Sequence, residues 1–180
     1  MNNKLLLKKP QLLYFLFVLV AVAYYLLTYQ TARENFYQVI ILFCFLFAAY
    51  FVLYKLFSLT HFNQLVLAGL GFRLLLLLSV PNLSEDVYRF IWDGRLAAQG
   101  INPFSHLPAE IMHMQPVAGI TPQLFAKLNS PGYYTIYPPV LQGVFWVGAK
   151  LFPLSIIKTI IFFKVVIVIA DVGIFFLMKQ

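Results

Sequence analysis

Three of the six acidic residues of this chain, Glu85, Asp86 and Asp93, fall within nine positions, in the string Ser84-Glu85-Asp86-Val87-Tyr88-Arg89-Phe90-Ile91-Trp92-Asp93-Gly94-Arg95. Side chains of these types at this density can do two kinds of chemistry. A carboxylate beside a hydroxyl can take its proton as a general base, or can join a second carboxylate, as Asp86 with Asp93, in holding a divalent cation through oxygen. An arginine fork such as Arg89 or Arg95 captures a phosphate through two parallel hydrogen bonds and stabilises negative charge as it develops there. Nothing in the sequence demands a metal.

The local signals predict a helix over about 85–99. Ser84 suits the N-cap, Glu85 and Asp86 fall in the first turn where the helix dipole favours negative charge, and Gly100 ahead of Ile101-Asn102-Pro103 is a C-terminal stop. At helical spacing Asp86, Arg89 and Asp93 share one face, and Tyr88, Trp92, Arg95 and Gln99 share another. Val87, Phe90, Ile91, Ala97 and Ala98 remain for packing. The expectation is an amphipathic helix lying at a bilayer surface with its polar face open. Spacing alone leaves a second reading: an interfacial helix with Arg and Trp at head-group depth and acids that only cap and pair.

The elements that must position this helix are set by composition. The chain has 180 residues, of which 62% are hydrophobic, 18% aromatic and 11% charged, and its mean hydropathy is +0.83. A soluble domain carries about 25% charged residues to cover its core, so lipid is the solvent here. The fold class expected is all-α: a single polytopic transmembrane domain over 1–180 with about five spans of roughly 20 residues. Apolar runs place these spans at 11–27, 36–54, 64–80, 138–152 and 156–178. The one long polar stretch, 81–137, is the loop that carries the helix.

The net charge of +7 and a pI near 9.5 would point to nucleic acid in a soluble protein. Here the basic residues flank apolar runs instead, the pattern of membrane orientation, and no nucleic-acid partner is expected. Lys4, Lys8, Lys9, Lys55, Lys150 and Lys158 fall on the side of the N-terminus under this alternation, a side on which no acid falls. That side is read as cytoplasmic. Glu85, Asp86, Asp93 and Glu110 fall in the long loop, which is then outside. A signal peptide is disfavoured, because the first run continues past Ala21-Val22-Ala23 through Tyr24, Tyr25, Leu26 and Leu27 without a polar segment. The lone Cys44 excludes an internal disulfide and reads as a small buried hydrophobe. His61, His106 and His113 have no metal-ligand spacing and read as surface or interfacial residues.

Charges inside the runs are costly, by about 2.5 to 3.5 kcal/mol each at the centre of a helix. Arg73 therefore needs a donor phosphate or another helix's acid, while Lys164 can snorkel and Asp171 lies two turns beyond it. Tyr133, Tyr134 and Tyr137 with Pro138 and Pro139 mark either a membrane interface or a segment that folds back over the site, with Tyr137 helping to build a sugar or lipid pocket.

The string SEDVYRFIWDGRLAAQGINPF, followed about thirty residues later by YYTIYPPVLQGVFW, resembles the first outer loop of polytopic GT-C glycosyltransferases. More narrowly it resembles the mannosyltransferase-like bacterial members (family 87 type), with an acid before Val-Tyr and a later Gly-x-x-Pro-aromatic. The resemblance spans about 64–152. It implies Asp86 as the general base toward the acceptor hydroxyl, with Glu85 the alternative, and Arg89, Asp93 and Arg95 as substrate-binding candidates; Arg73 and Tyr137 join these candidates from the residue readings above. It also implies a polyprenyl-phosphate sugar as lipid-linked donor, a glycan or lipid acceptor on the outer face, and a bacterial cytoplasmic membrane.

Members of that superfamily are longer, with donor-lipid grooves built from both halves. The expectation is therefore a hexosyltransferase, with mannose as the sugar, or its N-terminal portion, to be completed by a second chain or segment. The competing reading is a non-catalytic membrane subunit or fragment whose outer loop binds lipid or a partner chain. A transporter is disfavoured, because the polar residues concentrate in one loop and do not line a path through the bilayer.

Overall fold

The computed structural model describes residues 10–114 and 116–178; Lys4, Lys8 and Lys9, on which part of the charge count rests, lie outside them. Every regular element among the described residues is helical. The chain divides between Leu83 and Ser84 into two compact units.

The first unit holds α1 (Pro10–Tyr25, continued by a π turn, Leu26–Gln30), α2 (Phe36–Phe57) and α3 (Phe62–Leu77). Pro10 opens α1, where a missing N–H costs nothing. Asn35 caps α2, its side chain accepting from the Gln38 N–H at 3.3 Å. Leu13, Val20, Ala49, Leu53 and Phe57 form the buried seam of this unit, with Leu65 and Phe72 packed against it. The π turn leaves carbonyls that side chains satisfy. Thr31 Oγ1 donates to the Leu26 carbonyl at 2.9 Å, and Asn82 Nδ2 donates to the carbonyls of Leu27 at 3.2 Å and Thr31 at 2.6 Å. Cys44, expected to be buried, is exposed on α2, where its apolar character suits a lipid-facing side.

The second unit holds α4 (Asp86–Ala98), the single turns α5 (Pro108–Ile111) and α6 (Pro122–Phe125), then α7 (Pro139–Leu151) and α8 (Ile156–Met178). Among the described residues, three helices are long and apolar enough to cross a membrane: Pro10–Gln30, Phe36–Phe57 and Ile156–Met178. Phe62–Leu77 is a shorter apolar helix. The expected fourth run becomes α7, whose 13 residues cover ~20 Å at 1.5 Å per residue, and it packs along α4.

α4 ends as its sequence dictates. The Ile101 N–H bonds to the Leu96 carbonyl and the Gly100 N–H to the Ala97 carbonyl, with Gly100 at φ 78°. That is a Schellman ending, which glycine adopts without a Cβ penalty, and Ile101 packs against the cluster that contains Leu96. The start is shifted by one residue. Glu85 takes the N-cap position without a side-chain capping bond to the helix, and Ser84 Oγ accepts from the Asp86 N–H at 3.2 Å.

Placement on an open surface is corrected. Trp92 and Asp93 are 0% exposed, Arg89 3% and Arg95 5%, because the loop and α7 fold over the face that hydrophobicity alone left uncovered. Trp92 meets Phe125 at 5.8 Å, and Phe90 stacks on Phe145 at 4.7 Å. α4 and α7 approach each other closely at Gly94, where a Cβ would run into the Phe145 backbone carbonyl. Backbone cannot yield as a flexible side chain does. Gly94→Ala is therefore expected to cost about 1 to 3 kcal/mol, measured as a lowered unfolding temperature in detergent, whereas Gly143→Ala on α7, which meets nothing within 4 Å, should leave that temperature unchanged.

Candidate functional site

Asp86 is the first residue of α4, half-buried at the unit's surface. Its Oδ1 accepts from Nδ2 of Asn129, 43 positions along the chain, at 2.8 Å. Asn129 is exposed, and its own Oδ1 accepts from Ser130 Oγ at 3.1 Å. Glu85 is also exposed and precedes the helix.

One turn on, the arginine and aspartate are committed inward. Arg89 Nε donates to Asp93 Oδ1 at 2.8 Å as a buried i,i+4 pair. Arg89 Nη1 donates to the backbone carbonyls of Ser130 at 3.3 Å and Tyr133 at 2.9 Å. The other oxygen of Asp93 accepts from Gln142 Nε2 of α7 at 3.1 Å, and the same nitrogen lies 3.1 Å from Thr135 Oγ1. The spacing of Asp86, Arg89 and Asp93 thus gives one face, and that face is a connected network. With both Asp93 oxygens engaged by protein donors, the pairing of Asp86 with Asp93 around a divalent cation is not the arrangement found. Among the described residues no group of three or more His, Cys, Asp or Glu stands ready for a metal ion.

Tyr137 packs edge-on against Phe90 at 4.8 Å and against Phe145 at 5.8 Å. Burial pushes its phenol above the ordinary value of 10.0, and the negative charge of Asp86 adds to this; Arg89 opposes it and Asp93 reinforces it. The tyrosine therefore stands beside the carboxylates as a neutral hydroxyl.

Arg95 and Arg73 are placed elsewhere. Nine residues beyond Asp86, Arg95 falls on the opposite side of α4, where its Nη1 donates to the Gly119 carbonyl and burial lowers its pKa. Arg73 belongs to the first unit, on α3, where its Nη1 donates to the Gly69 carbonyl at 3.2 Å. His61 sits at the N-terminal cap of α3, its Nδ1 2.8 Å from Thr60 Oγ1. Asn129, Ser130 and Gln142 escaped the sequence reading, while Thr135 belongs to the segment 135–139 expected to fold back over the site. Only Gln142 carried a signal, as the one polar side chain in the run Pro139-Val140-Leu141-Gln142-Gly143-Val144-Phe145-Trp146.

An all-helical chain with long apolar helices is a membrane protein, and in its second unit a polar network is built on a loop helix. The chain belongs to the alpha-(1->6)-mannopyranosyltransferase N-terminal domain family, which matches it over residues 16–180. It is thus a mannosyltransferase-family membrane domain. No curated protein and no solved structure matches it.

Removing one partner of the buried pair leaves the other charge unpaired. Asp93→Ala is expected to cost about 3 to 5 kcal/mol, seen as loss of protease-resistant protein from membranes. The raised Tyr137 value means that the folded state favours the neutral phenol, so its contribution to stability is present below pH 10.0 and is lost as pH rises through the folded-state value. The ultraviolet phenolate signal of the wild type minus that of Tyr137→Phe should accordingly titrate above pH 10.0.

Proposed function

We propose that this chain transfers mannose from a polyprenyl-phosphate donor to a hydroxyl of a glycan or lipid acceptor on the outer face of a bacterial cytoplasmic membrane, with Asp86 as the general base. The observation that carries the reading is the state of the Asp86 carboxylate. It stands half-buried at the surface end of the network, one oxygen held by Asn129, while Arg89 and Asp93 are spent on holding the surrounding structure.

The step is an inverting displacement. The acceptor O–H proton passes to Asp86, the acceptor oxygen bonds to the anomeric carbon, and the bond from that carbon to the phosphate oxygen breaks with its electron pair leaving on phosphate. If the product is α-linked, as the family's name has it, inversion requires a β-linked sugar on the donor. In this reading Tyr137, as a neutral hydroxyl beside the carboxylate, helps to line the sugar pocket. Glu85 is the second candidate base, and Arg95 and Arg73 remain candidates for donor phosphate through the positions they occupy outside the network.

The outer-face assignment is supported by the basic flanks Lys4, Lys8, Lys9 and Lys55 on the N-terminal side and by the acids of the long loop. A second segment or chain completing a donor-lipid groove is part of the proposal. The alternative, a non-catalytic subunit that binds lipid or a partner through the loop, predicts no role for the Asp86 carboxylate.

The test is transfer of radiolabelled mannose from polyprenyl-phosphate mannose in membranes that contain the chain. Asp86→Asn, which keeps shape and removes the base, should lower transfer by at least about 100-fold with insertion intact. Wild-type transfer by that variant would refute the base assignment, and no transfer by the correctly inserted wild type would mean that the second segment or chain is required for it.

A further inference from the structure

Asn129 lies in neither of the two sequence motifs, yet it makes the hydrogen bond to Asp86. It is exposed, so its side chain adds little to packing. Its amide is nonetheless oriented at both ends: Ser130 Oγ donates to its Oδ1 at 3.1 Å, which turns Nδ2 toward Asp86 Oδ1 at 2.8 Å. The backbone that follows it is also held. Arg89 Nη1 grips the carbonyls of Ser130 and Tyr133, and Arg89 itself is locked by Asp93, which Gln142 of α7 holds from its other oxygen. Thr135, two residues past Tyr133, is tied to the same Gln142 nitrogen.

A carboxylate on the first residue of a helix can rotate freely about its side chain, and either oxygen can face solvent. One N–H donor on Oδ1 removes that freedom and directs Oδ2 outward. We infer that Asn129 is a positioning residue: it pins Asp86 so that a single oxygen is presented to the acceptor hydroxyl, and the buried Arg89–Asp93–Gln142 chain sets where Asn129 stands. This rests on the reading of Asp86 as the base, and it adds a residue through which the second motif reaches that base from α7.

The pin can be read without activity. A membrane-permeant carbodiimide reaches a carboxylate more readily once the donor that covers one of its oxygens is gone. In membranes containing the full chain, Asn129→Ala should raise carbodiimide labelling of Asp86 severalfold relative to Glu85, read by mass spectrometry of the loop peptide, with the unfolding temperature unchanged. Asn129→Gln, which keeps the amide one methylene further out, should give an intermediate ratio. In the transfer assay Asn129→Ala should lower kcat by about 10- to 100-fold, the scale of a small misplacement of a catalytic group, and leave the donor KM unchanged.

An unchanged labelling ratio would overturn the pin. A fall in unfolding temperature parallel to the loss of kcat would also overturn it, by making Asn129 structural. Transfer by Asp86→Asn would sink the base reading, and the labelling ratio would still report on the pin.

Discussion

The second unit is organised around one ion pair placed where water cannot reach it. Taking Arg89 and Asp93 out of solvent costs several kcal/mol per ion before any attraction is counted. The structure meets that cost with hydrogen bonds on every side: Asp93 to the pair, Gln142 to its free oxygen, and two backbone carbonyls to the guanidinium. Such a pair adds little net stability compared with a well-packed apolar replacement. What it supplies is geometry, because a desolvated charge tolerates only one arrangement of its partners. Loop 129–135, the start of α7 and the exposed end of α4 all take their positions from it.

Packing and polarity divide the work between the two sides of α4. Val87, Ile91, Leu96 and Trp92 enter a cluster with Ile111, Leu124, Leu128 and Phe145, continued by Ile160 and Phe163 of α8. This apolar body fixes the helix axis, and the close approach at Gly94 fixes its distance from α7. The polar stripe then needs only to set the loop. That separation lets the surface end of the stripe, where Asp86 and Asn129 meet, stay partly open while everything beneath it is closed.

Much of this was legible in the sequence, and the boundary is a physical one. Helix α4 was expected over about 85–99 and runs from Asp86 to Ala98, because caps and glycine stops act locally. The i,i+4 spacing placed Arg89 beside Asp93, and the same regularity put Asp86 on that face. The apolar runs became helices for the same reason. What could not be read was whatever depends on residues far along the chain. Asn129 meets Asp86 across 43 positions, and Gln142 meets Asp93 across 49. No periodicity records such contacts. The expectation of an open polar face failed on the same ground, since hydrophobic patterning shows which side of a helix wants burial but not which loop will cover the other side. The apolar run expected over 138–152 forms a helix of 13 residues, Pro139–Leu151.

The end of α1 has a bearing on how the chain is made. Its last carbonyls, at Leu27 and Thr31, are satisfied by Asn82, and Tyr29 donates to the Leu75 carbonyl at 2.8 Å. These partners lie about fifty residues downstream. During synthesis, when the N-terminal part emerges first, α1 and α2 reach the membrane as a hairpin whose connecting corner still lacks the partners of these carbonyls. Water or lipid head groups must occupy that corner until α3 and Asn82 arrive. The first unit therefore closes from its far end backwards, and an arrest of translation before residue 82 would leave a hairpin that is inserted but unsealed.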